Sequence, residues 1–158
     1  MKKLIFVFVL IAVISVGTAF ADHPKGTGIG IQWRYPGGLD FTLKLPSIPI
    51  FWALGLGFDE DYFAFRVTGD YYLFHNVLLK EAYLHWFLGL GAWVGIASND
   101  DDFYLSLGGR IPIGLSFQPI DLLEIHLAVA PSLGIQVTPN PKFPIGGFPV
   151  ELGVRIWL

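Results

Sequence analysis

The chain has 158 residues, of which 53% are hydrophobic and only 15% are charged, with a formal net charge of −3. This charge excludes the basic surface that nucleic-acid binding requires. The absence of cysteine excludes disulfides and a lipid-attached cysteine. After residue 21, no apolar run approaches the roughly 20 residues of a membrane-spanning helix, so a hydrophobic chain punctuated by 19 Gly and 11 Pro favours an all-β membrane protein.

The first residues have the three parts of a secretory signal. Lys2 and Lys3 precede an apolar run from 4 to 16, and Ala19-Phe20-Ala21 satisfies the small-x-small cleavage rule. An uncleaved anchor is the alternative, but the run is shorter than a spanning helix. We therefore predict a cleaved signal peptide at 1–21 and one domain, a transmembrane β-barrel, at 22–158.

Eight segments of the remaining chain alternate apolar and polar or small residues at period two, which is typical of strands with one apolar face. Turn residues or charges separate them. The predicted strands are 25–35, 39–45, 50–58, 62–74, 83–97, 103–118, 122–138 and 147–158. The stretches 75–82 and 138–145 are predicted to be longer connections.

The last segment ends with the chain and carries an unbroken apolar set at period two. A terminal strand leaves open backbone donors and acceptors unless it pairs with another strand, most simply the first. We therefore predict a closed antiparallel up-and-down barrel of eight strands, or of ten if the sixth and seventh segments are each broken. Pro112, Pro131 and Pro149 argue against uninterrupted strands, and bulges near the ends of the spanning stretches would accommodate them.

Within each predicted strand, the charged residues lie opposite the apolar set. A charge facing lipid costs up to about 2–4 kcal/mol at mid-membrane, so a bilayer would enforce this segregation. We predict a lumen ion-pair network, in which Arg110, Glu124, His126, Glu151 and Arg155 interact across the barrel. The full predicted set is Arg34, Asp40, Lys44, Arg66, Asp70, Arg110, Glu124, His126, Glu151 and Arg155.

A soluble lipocalin-like periplasmic barrel that binds an apolar ligand would alternate in the same way, with its apolar face inward. Two features favour the membrane. Large aromatic residues of the apolar set lie near strand ends, as interfacial girdles require, and the opposite set is diluted with glycine. The predicted girdle residues are Trp33, Tyr35, Trp52, Tyr71 and Trp86.

The terminal pattern and the architecture resemble the small outer-membrane barrels that include OmpX and the transmembrane domain of OmpA. In that family the alternating last strand is an assembly signal for the barrel-assembly machinery; the matching residues here are Val150, Leu152, Val154, Ile156 and Leu158. The family signal ends in an aromatic residue, whereas this chain ends in Leu158 with Trp157 beside it. The resemblance implies the outer membrane of a diderm bacterium, with both termini in the periplasm.

The expected partners are membrane lipid, lipopolysaccharide and, during insertion, the assembly machinery, with no nucleic acid, no cofactor and a monomeric state. The acidic stretches 59–61 and 98–102 are expected to be solvated loop tips or cation bridges, and we assign no metal site. No histidine is predicted near the outer loops, and His126 is not followed by the Ser-Asn of outer-membrane lipid A deacylases, so we predict no enzyme. The sequence favours a plugged, ion-paired barrel for envelope integrity or surface interaction; a small pore for ions or solutes is the alternative.

Overall fold

A computed structural model of the protein describes residues 26–59, 62–99 and 102–158. The predicted signal peptide at 1–21 lies outside the described residues. Nothing helical in the described ranges is both long enough and apolar enough to cross a membrane. The regular elements are eleven β segments: β1 Gly28–Tyr35, β2 Gly38–Lys44, β3 Phe51–Asp59, β4 Tyr62–Leu79, β5 Leu84–Asn99, β6 Phe103–Arg110, β7 Ile113–Ile120, β8 Leu123–Val129, β9 Ser132–Thr138, β10 Lys142–Gly147 and β11 Val150–Trp157.

The segments form eight walls of one closed antiparallel barrel. β6 and β7 both pair with β5, at different heights along it. On their other edges, β6 pairs with β9 and β7 pairs with β8. β9 then pairs with β10, and β8 pairs with β11. β11 closes the barrel against β1 from Gly28↔Trp157 to Tyr35↔Val150. Backbone bonds between Thr27 and Leu158 extend this seam to the end of the chain. The predicted closed eight-stranded barrel is confirmed. We call the end that holds Thr27 and Leu158 the lower end.

The sixth, seventh and eighth walls each break at a proline in the middle of the wall. Pro112 separates β6 from β7, Pro131 separates β8 from β9, and Pro149 separates β10 from β11. The proline carbonyls accept backbone bonds from Gly89, Ile111 and Ala130 at 2.8–2.9 Å, so each wall keeps contact with its neighbour at the break. The expectation that these prolines lie near the ends of the spanning stretches is wrong, because each lies in the middle of its wall. The breaks produce extra segments without adding walls.

Two predicted connections are partly strand. β4 continues to Leu79 past a register shift between Tyr72 and Phe74. His75 therefore belongs to β4, and its side chain is buried. A single extra residue exchanges the two faces of a strand, and the strict alternation used in the prediction stops at such a bulge. β10 occupies 142–147, within and just beyond the second predicted connection, and it pairs with β9 through an irregular register.

The first hairpin is shorter than the walls beside it. β1 ends at Tyr35 and β2 begins at Gly38, whereas β3 continues upward past Gly55, which faces Asp40, to Asp59. On the other side, β10 pairs with β9 and has no second neighbour among the described strands. The upper wall is therefore interrupted above Pro36 and Gly37.

Polarity is inverted relative to a water-soluble protein. Among the described residues, 14 polar or charged side chains are buried, against eight apolar ones including Pro112, while large apolar side chains cover the outside. The outer set includes most of the predicted girdle, with Trp33, Tyr35 and Tyr71 at 51%, 64% and 46% exposure. The apolar parity predicted from the sequence thus faces outward.

Candidate functional site

All ten residues of the predicted lumen set face the barrel interior. Nine of them are buried, and Arg66 is half-buried. They are contributed by β1, β2, β4, β6, β8 and β11, because the polar parity of each strand faces inward. Among strand residues whose side chains the structure describes, Lys142 is the only charged one that is exposed.

Six of these residues form one chain of ion pairs across the upper lumen, which we call the upper cluster. Asp40 sits between Arg66 and Arg34, with Arg66 Nη2 at 2.9 Å from Oδ1 and Arg34 Nε at 3.0 Å from Oδ2. Glu151 then joins Arg34 to Arg110, at 3.5 Å and 2.7 Å. Arg110 Nε lies 3.1 Å from Asp70. The upper cluster is Arg34, Asp40, Arg66, Asp70, Arg110 and Glu151.

A second cluster lies nearer the lower end and is centred on Glu124. Its carboxylate accepts bonds from Arg155 Nη1 at 2.9 Å, Trp157 Nε1 at 2.8 Å and Ser116 Oγ at 2.9 Å. Glu124 and Arg155 are direct partners in the register of β8 and β11. This lower cluster satisfies a buried carboxylate with three donors, which offsets its desolvation.

The structure therefore has two ion-paired clusters where the sequence predicted one network. Arg110 and Glu151 belong to the upper cluster, and Glu124 and Arg155 to the lower one. His126 makes contact with Gln32 at 3.3 Å, and Gln32 donates to Asp40 at 3.2 Å, so the histidine joins the upper cluster through an amide. Lys44 donates to the carbonyl of Leu45 at 2.6 Å.

Glycine separates the partners of several lumen interactions. Asp40, Gly55 and Arg66 form one row across β2, β3 and β4, and Asp70, Gly91 and Arg110 form another across β4, β5 and β6. A Cβ on Gly91 would lie 1.9 Å from Asp70 Oδ1, and one on Gly55 would lie 2.2 Å from Asp40 Oδ1. Each ion pair therefore bridges over the glycine on the strand between its two partners, because glycine has no side chain to block the contact.

Below the upper cluster, stacked aromatic rings fill the lumen. The ring of Tyr72 stacks between Phe51 and Phe87, with centroids 4.1 Å and 4.5 Å apart, and Trp157 meets Phe51 edge-on. Arg155 lies over Phe51 at 4.8 Å. The cavity at this level measures about 10 Å³, which is at the lower limit for holding a single water. The lumen residues predicted above do not include Tyr72 or Trp157, although Tyr72 shares the parity of Asp70 and Trp157 shares that of Glu151 and Arg155.

Above this level the lumen opens into a larger cavity of about 190 Å³. We call it the arginine cavity. Its walls come from β1, β4, β5, β6, β9 and the break between β10 and β11, so it adjoins the interrupted part of the upper wall. Its lining is Arg34, Pro36, Arg66, Trp93, Arg110, Ser132, Gly146, Gly147, Phe148 and Pro149.

Nucleophile and base side chains of the described residues do not form a catalytic set. Ser116 is fully buried and donates to Glu124, and the neighbouring His126 is engaged with Gln32. Ser106 and Ser132 donate to backbone carbonyls. His75 and His85 stack on one another with centroids 5.2 Å apart. Of the acidic loops predicted at 59–61 and 98–102, residues 60, 61, 100 and 101 lie outside the described residues.

Fold and lumen together define a closed eight-stranded antiparallel β-barrel with an apolar exterior and an ion-paired interior. The chain belongs to the family described as "Protein of unknown function (DUF3996)", which matches residues 25–155. No curated protein matches it. Among solved structures, it is similar to Neisserial surface protein A (NspA), with 13% identity over 84% of this chain and 93% of that one and a TM-score of 0.42.

Proposed function

We propose that this protein is an integral β-barrel of the outer membrane with a plugged lumen, and that it contributes to envelope integrity or surface interaction. The observation that carries the proposal is the inverted polarity of the barrel, with 14 polar or charged side chains buried against eight apolar ones among the described residues. A soluble lipocalin-like barrel would bury its apolar parity and expose its charges. Here the charges of the lumen would instead be shielded from lipid by the apolar outer face.

Closure of the barrel supports the same proposal. A strand edge exposed to lipid leaves backbone groups without partners, and each such group costs several kcal/mol. The pairing of β1 with β11 along eight register positions removes that edge in the part of the wall below Pro36. On the outer face of β11, the predicted assembly residues Val150, Leu152, Val154, Ile156 and Leu158 are all exposed. Their recognition by an assembly machinery is part of the proposal.

We expect the protein to fractionate with the outer membrane and to require detergent for extraction. Unheated samples should migrate differently from heated ones in detergent gels, because a closed barrel stays folded until it is boiled, and circular dichroism in micelles should be rich in β structure. The control is a soluble β-rich periplasmic protein carried through the same fractionation. A monomer that remains soluble without detergent would overturn the proposal and favour the lipocalin-like alternative.

The plugged lumen separates this proposal from the alternative of a small pore. The stacked aromatic rings and the lower cluster occupy the lumen at this level, and the cavity between Phe51 and Glu151 is only about 10 Å³. Planar bilayers that contain the wild-type protein should therefore show only small or rare conductance steps.

Removing Arg155 should enlarge those steps, because its guanidinium covers the ring of Phe51 at the narrowest level. Arg155→Ala tests this expectation. Lys142→Ala is the matched control, because it also removes one positive charge but at an exposed position. Large steady conductance from the wild type would make the pore the better account. Equal conductance of both variants would show that Arg155 does not plug the lumen.

A further inference from the structure

The charged residues that line the arginine cavity are all positively charged. Three of its ten lining residues are arginines, and none is acidic. Its volume of about 190 Å³ is roughly ten times the ~15 Å³ that a single water needs. The remaining lining offers the ring of Trp93, the apolar Pro36 and Pro149, and the hydroxyl of Ser132. The cavity thus has room for a small organic molecule and cationic groups to contact it.

The upper cluster contains three arginines and three carboxylates, so its charges balance in number. The positive lining of the cavity therefore results from where these side chains lie. The side chains of Asp40, Asp70 and Glu151 are buried to 0%, 9% and 6% exposure, and they do not line the arginine cavity. Asp70 and Glu151 line the small cavity beneath it instead. Cationic groups therefore face the open space while the compensating carboxylates lie deeper.

Arg66 is the arginine with the most remaining capacity. It has one carboxylate partner, Asp40, whereas Arg34 and Arg110 each contact two. Its side chain is 26% exposed, compared with 5% for Arg34 and 2% for Arg110. Its Nε has no hydrogen-bond partner in the structure. A guanidinium carries five N–H donors, so Arg66 can bind a second anion without releasing the first.

We propose that the arginine cavity binds a phosphate group, with Arg66 as its principal ligand. Arginine is suited to this task because its planar donors match the oxygens of phosphate in pairs, and such charge-assisted bonds are stronger than neutral ones. The interrupted upper wall gives the cavity an entrance beside β10, next to the exposed rings of Phe143 and Phe148. That position is open both to a soluble phosphate ester and to the headgroup of a phospholipid.

The test is calorimetric titration of the purified protein in detergent micelles, with two probes. One is inorganic phosphate, and the other is phosphatidic acid doped into phosphatidylcholine mixed micelles, with phosphatidylcholine alone as the blank. Arg66→Gln removes the principal cation, while Arg34 keeps Asp40 paired. Lys142→Gln is the matched control, because Lys142 is exposed and does not line the cavity. Heat-dependent gel mobility verifies that each variant is folded.

We expect binding that Arg66→Gln weakens at least tenfold and that Lys142→Gln leaves unchanged. Binding of inorganic phosphate would assign the site to a free anion, and binding of phosphatidic acid alone would assign it to a lipid headgroup. Three results would overturn the proposal: no binding of either probe to the folded wild type, equal affinity of wild type and Arg66→Gln, or equal weakening by both variants. None of these outcomes depends on whether the lumen conducts.

Discussion

Replacing Val154 by Asp is expected to prevent the barrel from assembling. Val154 is 41% exposed on the outer face of β11, between Ile31 of β1 and Ile125 of β8 in the register. A charge at this position would face lipid on the seam that closes the barrel. The cost is about 2–4 kcal/mol for Arg or Lys at mid-membrane and less for Asp, which is still a substantial fraction of the stability of a small domain. The measurement is the fraction of protein that shows the folded, heat-modifiable band after refolding into lipid vesicles.

Val154→Leu is the matched control, because it changes the same lipid-facing side chain without adding a charge or a polar group. It should fold close to wild-type yield. Equal folding of Val154→Asp and wild type would mean that the apolar row of β11 does not face lipid, which would contradict the proposed orientation of the whole barrel.

The inward face of β11 is also constrained, although its residue beside Val154 is a glycine. A Cβ on Gly153 would lie 2.4 Å from Cε1 of His126 and 2.7 Å from Cβ of Gln32. Gly153 separates these two residues in the register, and their contact at 3.3 Å passes over it. Alanine at position 153 would therefore enter a tight site, and this substitution is a poor control for Val154→Asp.

Alternation and the position of charges were sufficient to predict the eight walls, the closure and the inward set. The reason is that a strand has only two faces, so residues such as Arg34 and Glu151 are assigned once the apolar parity is known. Closure followed from the need to pair the last strand. These inferences use local spacing, which the sequence contains in full.

Features that depend on the register between strands could not be read in the same way. The bulge beyond Tyr72 shifts the parity of β4, and no local signal marks it, so the buried His75 was placed in a connection. Gly55 and Gly91 appeared to be fillers of a narrow lumen, whereas each lies between the partners of an ion pair on neighbouring strands. The choice of partners, and hence the division into two clusters, depends on this lateral register.

Replacing Glu151 by Gln is expected to destabilise the barrel strongly. Glu151 is the one carboxylate that joins Arg34 to Arg110, with Arg110 Nη2 at 2.7 Å and Arg34 Nε at 3.5 Å, and its side chain is 6% exposed. The variant leaves two buried guanidinium groups with one carboxylate partner each, Asp40 and Asp70. Breaking a buried ion pair by removing one partner costs about 3–5 kcal/mol, because the remaining charge stays desolvated.

Glu81→Gln is the matched control, since it makes the same chemical change at an exposed residue in the turn between β4 and β5. Surface charges of this kind contribute about 0–1 kcal/mol, so the control should unfold like the wild type. The measurement is the free energy of unfolding from urea titrations in lipid vesicles, followed by the intensity of the folded band in unheated gels. Equal midpoints for the two variants would show that Glu151 does not hold the upper cluster together. A lower midpoint for Glu151→Gln alone would establish that the lumen ion pairs stabilise the barrel, because the two changes differ only in burial and partners.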